Sequence, residues 1–389
     1  MNNGKLIPAL TSLRFFAALA VVAHHGVGLW SFELTPFIRQ FADIGVSFFF
    51  VLSGFVLVWN YSNINGKDTF GFYLKRFLRI YPTHWLVTGL YAFSSWTFVS
   101  GFTVASLGKW WLLVLLTNLC LLQSWIPIPA YYFSYNGPSW SVSCEIFFYL
   151  VFPLLLWLMK KSRVMLLATS LSVLLVFIII GNCYPPHPSV QTPPIWWQAT
   201  LNGWVQFSPL TRVFEFCVGM VIGSFALGRH ARIQEKEISK HAKTQTRFLE
   251  VLSIGIFYGF IHFGQLPRII NLLGIHSYSS ATGQWMVTSG SCFVVALLLY
   301  AVSAKESIAN IVFRFKPFII LGEASYALYL VHIPFKMYLW QHPYLISGIS
   351  NPLKVTLYFC GSITLSVLIW KFWEIPVRKV ALQLLKKKI

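Results

Sequence analysis

The sequence predicts an all-α fold: a polytopic membrane helix bundle of about ten transmembrane helices, with a re-entrant or interfacial segment near 104–138 and both termini cytoplasmic. Three observations predict it. Of 389 residues, 56% are hydrophobic and 17% aromatic, while only 11% are charged, against about 25% in a soluble domain. Mean hydropathy is +0.65, and eleven apolar stretches recur along the chain, most of them long enough to cross a bilayer. Lys and Arg, which give a net charge of +19, gather between those stretches. That placement suits positive-inside orientation and excludes a free-standing nucleic-acid-binding face.

The elements follow in order. The first stretch, near 8–30, is long, lacks a cleavage site and is expected to be retained as a span. Stretches near 44–61 and 80–100 come next, and the loop 62–79 between them holds Lys67, Lys75, Arg76 and Arg79. That loop is expected to be cytoplasmic, as is the one marked by Lys160, Lys161 and Arg163. An even number of spans must separate two cytoplasmic loops, yet stretches near 80–100, 110–123 and 141–159 lie between them. The stretch 110–123 has about 14 residues where ~20 are needed, and Pro127 and Pro129 follow it. Residues 104–138 are therefore expected to stay on the outer side. Spans near 163–181, 208–227, 248–264, 287–303, 317–340 and 354–372 then alternate. The uncharged loop 182–206 falls outside, and the basic segments 228–247, 304–316 and the tail from Arg378 fall inside. No internal repeat is visible. Residues 1–389 are expected to form one transmembrane domain with no appended soluble domain. The six cysteines lie mostly in apolar stretches without metal-ligand spacing. They read as small core residues, and no metal is expected.

Ionisable residues inside spans point to function. Arg14 and His25 are eleven residues apart in the first stretch. On a helix they share one face, ~20° out of line and ~16 Å apart along the axis. They read as two ends of a polar track, or else as an arginine reaching the headgroups and a histidine packed between helices. Among the eleven acids, Asp43, Glu145, Glu215 and Glu323 fall in or at the edge of spans. The topology puts His25, Glu145 and Asp43 at one level near the outer surface, and Arg14, Arg76 and Arg79 near the cytoplasmic surface. Arginines there would hold a phosphate-bearing donor, or serve only as positive-inside anchors. A histidine oriented by a carboxylate is a general-base pair. A donor with phosphates at one end, a long thin arm and a reactive tip would join the two levels. Acyl-coenzyme A has that shape. Glu215 with Arg212 at i, i+3 reads as a buried structural pair, and His24, ~100° from His25, as a packing histidine.

The same residues resemble a known family. Arg14 and His25, at their spacing, resemble the first-helix motif of the acyltransferase 3 family of integral membrane acyltransferases. The segment Asp43–Phe55 resembles its second-helix motif, with Ser47 where many members carry an acid. Arg76 and Arg79 match its Arg-x-x-Arg motif, and Trp140 with Glu145 its Trp-Ser-x-x-x-Glu segment. Weaker matches run through 209–219, 321–332 and 374–378.

The resemblance implies transfer of an acyl group, usually acetyl, from cytoplasmic acyl-coenzyme A to a hydroxyl of a cell-surface glycan or its lipid-linked precursor, in a bacterial inner membrane. It implies catalysis at His25 and donor binding at Arg14, Arg76 and Arg79. Glu145 or Asp43 is expected to orient His25, and Trp140 and His332 are grouped as acceptor contacts. The alternatives are a transporter or flippase of a lipid-linked glycan, or an acyltransferase acting on a small molecule or lipid. A purely structural membrane subunit leaves Arg14, His25 and Glu145 without a purpose.

Overall fold

The structure, a computed structural model, describes residues 7–27, 36–64, 66–94, 107–185, 196–234, 240–262, 271, 274–275 and 279–386. Among them the chain is helical, with no strand. The long helices are α1 (Pro8–Gly26), α2 (Pro36–Tyr61) and α3 (Thr69–Ser94). After the short α4 (Trp111–Leu119) come α5 (Trp140–Lys161), α6 (Arg163–Gly181), α7 (Pro209–Gln234) and α8 (Lys240–His262). Two consecutive pieces, α9 (Ala281–Ser289) and α10 (Cys292–Val302), break at Gly290. The series ends with α11 (Lys316–Gln341), α12 (Asn351–Ile369) and α13 (Ile375–Lys386), the last two joined by a π-helical turn, Trp370–Glu374.

Eight of these helical segments are long and apolar enough to cross a membrane. The other two long helices, α3 and α8, have 26 and 23 residues, ample for a bilayer. They carry more charge because their ends extend past the apolar stretch. α3 begins eleven residues before the stretch read from the sequence, so Arg76 and Arg79 stand on a helix rather than in a loop. Arginine is a good helix former, and the i, i+3 spacing turns both toward one side. Large apolar side chains such as Leu150, Leu154, Val164, Ile179, Phe248 and Val251 are exposed on the outside of the bundle. In water that surface would be a liability; in a bilayer it is the lipid face.

Without a hydrophobic drive between helices in lipid, close packing holds the bundle together, and small residues permit it. A Cβ at Gly54 would lie 2.0 Å from Phe216 O, one at Gly219 2.0 Å from Val51 O, and one at Gly322 2.0 Å from Thr11 O. These contacts seat α2 against α7 and α1 against α11. Gly322 meets Thr11 near the start of α1 and His332 meets His25 near its end, so α1 and α11 run parallel.

Residues 104–138 contain no spanning helix among the described residues. The nine residues of α4 reach only ~13 Å. The last carbonyls of α4 find donors on α3: His84 Nε2 lies 2.9 Å from Asn118 O, Trp85 Nε1 2.9 Å from Leu119 O, and Tyr81 OH 3.1 Å from Cys120 O. Those groups would otherwise be orphans of the helix end. The chain then enters the bundle through buried Tyr131, Tyr132, Tyr135 and Asn136. Asn136 Nδ2 donates to Leu330 O at 2.9 Å, and Ser141 Oγ lies 2.7 Å from Tyr329 OH. Irregular backbone at membrane depth survives only when enclosed by protein in this way.

Candidate active site

A cavity of about 400 Å³ opens at one end of the bundle. Five cations line it: Arg14 from α1, Lys75, Arg76 and Arg79 from α3, and Arg378 from α13. Among the described residues, Arg14 and Arg79 make no hydrogen bond or close ion pair. Arg79 is balanced at longer range by Glu374, Glu323 and Glu145. The buried Glu374 is carried by the π turn. Its extra residue per turn shifts the register of the last helix, a device frequent at functional sites. Arg76 is held more firmly. Its Nη2 donates to Tyr61 OH at 3.0 Å, and its guanidinium lies 5.2, 5.9 and 5.6 Å from the ring centres of Tyr61, Phe72 and Tyr149.

Arg14 and Arg79 also line a second, narrower cavity of about 70 Å³ deeper in the bundle. Glu145, Ser53, Ser141, Tyr326 and Tyr329 supply its polar wall, and Phe49 and Phe50 part of its apolar one. Glu145 accepts hydrogen bonds from Tyr149 OH and, at 3.5 Å, from Ser53 Oγ. Tyr329 leads onward, its ring centre 6.1 Å from that of His332. The two arginines shared by both cavities link them.

His25 pairs with His332, beyond Tyr329. Its Nδ1 lies 3.0 Å from Val21 O and 3.1 Å from His332 Nε2. The Lys336 ammonium donates to His25 O at 2.5 Å, where it satisfies a carbonyl at the C-terminal end of α1 and faces the negative end of its dipole. His24 points outward and is exposed, its ring edge-on to that of His25 at 5.4 Å.

The structure carries Arg14 and His25 on the same helix, α1, and gathers Arg14, Arg76 and Arg79 at one cavity. It does not pair His25 with Glu145. Helix α5 starts inside the bundle rather than at its surface, because the enclosed segment before it delivers Trp140 at the depth of Tyr329. Ser141 meets Tyr329, three residues before His332, and Glu145 is another turn down. Glu145 therefore sits roughly 10 Å below the histidines along the axis, beside the arginines. Asp43 belongs to α2, and its side chain lies outside the described residues. Trp140 is 7% exposed and packs edge-on against Phe50 and Phe207, with Arg212 over its ring at 5.5 Å. It is a core residue here, packed away from any open acceptor site. His332 is fully buried and faces His25 rather than an open acceptor site. The Arg212–Glu215 pair is buried at 2.6 Å, as its spacing predicts.

Four residues to which the sequence alone assigns no role stand near these groups: Lys336, and Tyr329, Arg378 and Glu374 from the weaker motif matches. The spacing of His332 and Lys336, four apart in an apolar helix, was the available signal, since it puts both on one face.

The acyltransferase domain model matches residues 7–371. The chain is 28% identical to acyltransferase MdmB of Streptomyces mycarofaciens, over 84% of this chain and 78% of that protein. It is 23% identical to the putative peptidoglycan O-acetyltransferase YrhL of Bacillus subtilis, over 97% of this chain and 56% of that protein. It is also 23% identical to the peptidoglycan O-acetyltransferase OatA of Listeria monocytogenes, over 96% and 56%. The chain therefore spans little more than half the length of the two peptidoglycan enzymes. No solved structure matches it. With a domain match across nearly the whole chain, the chain belongs to the acyltransferase 3 family.

Proposed function

We propose that this protein is a membrane O-acyltransferase that moves an acyl group, acetyl in the simplest case, from acyl-coenzyme A at its basic end to an acceptor hydroxyl at the His25 end. The observation that carries the reading is the five-cation cavity, which shares Arg14 and Arg79 with a second cavity lined by Tyr329, the ring neighbour of His332, itself the partner of His25. By the positive-inside rule the basic end is cytoplasmic, where coenzyme A is made. The coenzyme's phosphates would meet Arg79, Arg14, Arg378 and Lys75, with Arg76 held beside them by its aromatic neighbours. Guanidinium groups without partners are suited to bidentate phosphate contacts. The pantetheine arm would follow the narrow cavity toward His25.

In the reaction, the acceptor hydroxyl gives its proton to a ring nitrogen of His25 as its oxygen attacks the thioester carbonyl. The new C–O bond forms, the C–S bond breaks, and the thiolate leaves with the proton from the imidazolium. Glu145, set among the arginines, serves the donor side rather than orienting the histidine. The named peptidoglycan enzymes among the relatives support a glycan acceptor or its lipid-linked precursor, and with it a bacterial inner membrane.

The test is acyl transfer by purified protein in detergent from labelled acetyl-coenzyme A to a panel of glycans, peptidoglycan fragments among them. Labelled product supports the reading. Binding of a lipid-linked glycan with no transfer from any acyl donor would favour a transporter instead.

A further inference from the structure

His332 is the side chain hydrogen-bonded to the His25 ring, and its geometry fixes which nitrogen of His25 bears the proton. His332 Nδ1 lies 3.2 Å from Leu328 O, a carbonyl of its own preceding turn. A carbonyl only accepts, so Nδ1 carries the hydrogen and the neutral ring keeps a lone pair on Nε2. That lone pair lies 3.1 Å from His25 Nδ1. His25 Nδ1 is also 3.0 Å from Val21 O, another pure acceptor. Both neighbours of His25 Nδ1 therefore ask for a proton on it, shared between them, and the lone pair of His25 is left on Nε2.

We propose that His332 is the positioning residue of the site: it holds His25 as the Nδ1–H tautomer and presents Nε2 as the proton acceptor. Lys336, one turn further along α11, anchors the same turn of α1 by donating to His25 O. Helix α11 thus grips the end of α1 through the ring and through the backbone. When His25 Nε2 takes the acceptor's proton, the imidazolium keeps Nδ1–H directed at Val21 O and His332 Nε2, two acceptors already in place, so no reorganisation is needed. His332, fully buried with both nitrogens engaged, does not touch the acceptor. The proposal rests on the acyl-transfer reading only for what Nε2 does next.

The first measurement is the nitrogen-15 spectrum of histidine-labelled full-length protein in lipid nanodiscs, with the His25 signals assigned by comparison with His25→Asn. The expected result is a protonated Nδ1 and a bare Nε2. An Nε2–H tautomer in the wild type overturns the proposal without any assay. The second compares His332→Leu with His332→Gln, whose side-chain oxygen can accept near the place of Nε2. His332→Leu is expected to lower kcat on the order of 10²-fold with the donor KM unchanged, and His332→Gln to recover most of that loss. If His332→Leu keeps native kcat, or loses it with no recovery in a well-folded His332→Gln, the positioning role is wrong. A wild type inactive with every donor, yet showing His25 as Nδ1–H, would sink the acyl-transfer reading and leave the pairing in place.

Discussion

Replacing His25 with Ala removes the imidazole proposed to take the acceptor's proton. General-base catalysis contributes roughly 10²–10⁴-fold, so His25→Ala is expected to lose transfer by that factor while donor KM stays put. Single-turnover kinetics at matched protein level checks this. Arg79 is expected to behave in the opposite way. Its guanidinium is unpaired among the described residues and lines both cavities. A charge-assisted hydrogen bond is worth about 1.5–3 kcal/mol, so Arg79→Ala is expected to raise donor KM about 10- to 100-fold with a smaller effect on kcat. The same substitution at Arg76 is expected to cost stability as well, because Arg76 packs among Tyr61, Phe72 and Tyr149. At this scale the sequence was informative about types and faces. Arg14 and His25 sit where a helical repeat puts them. The partner of His25 was not legible, because His332 lies 307 residues away and only the packing of α1 on α11 brings the two together.

Among the elements, the tightest seams rest on glycines. Gly219 of α7 and Gly322 of α11 leave no room for a Cβ against the backbones of α2 and α1. Gly322→Val is expected to destabilise the bundle by about 1–3 kcal/mol, the usual range for overpacking. It is also expected to displace His332 from His25, so thermal-shift and activity losses should travel together. A further element-scale prediction concerns Glu250 of α8. Its carboxylate accepts from Ile308 N and Ala309 N at 2.7 Å each and from Ser307 Oγ at 2.8 Å, capping the short helix Ile308–Val312. Glu250→Ala is expected to lower stability by about 0.5–2 kcal/mol, the worth of a lost cap, with the donor KM unchanged. Most spans were readable because hydropathy alone defines them. The start of α5 was not. Its depth depends on an irregular segment whose polar groups are satisfied by α3 and α11, and no local pattern encodes partners on distant helices. That is why Glu145 was expected beside His25 and stands instead beside the arginines.

For the whole molecule, composition foretold the bundle and loop charge foretold which end is basic. Cations gather around one cavity, and the paired imidazoles of His25 and His332 stand apart from it; on the proposed reading, donor and acceptor meet the protein on opposite sides of the membrane. This separation is the central claim, and sidedness tests it most directly. The protein would be reconstituted into vesicles in either orientation, with an acceptor glycan trapped inside and labelled acetyl-coenzyme A, which cannot cross the bilayer, supplied outside. The account predicts labelled glycan inside only those vesicles whose basic loops face outward, with free coenzyme A remaining outside. Label on the internal glycan in the opposite orientation, or transfer only to acceptor on the same side as the donor, would contradict it.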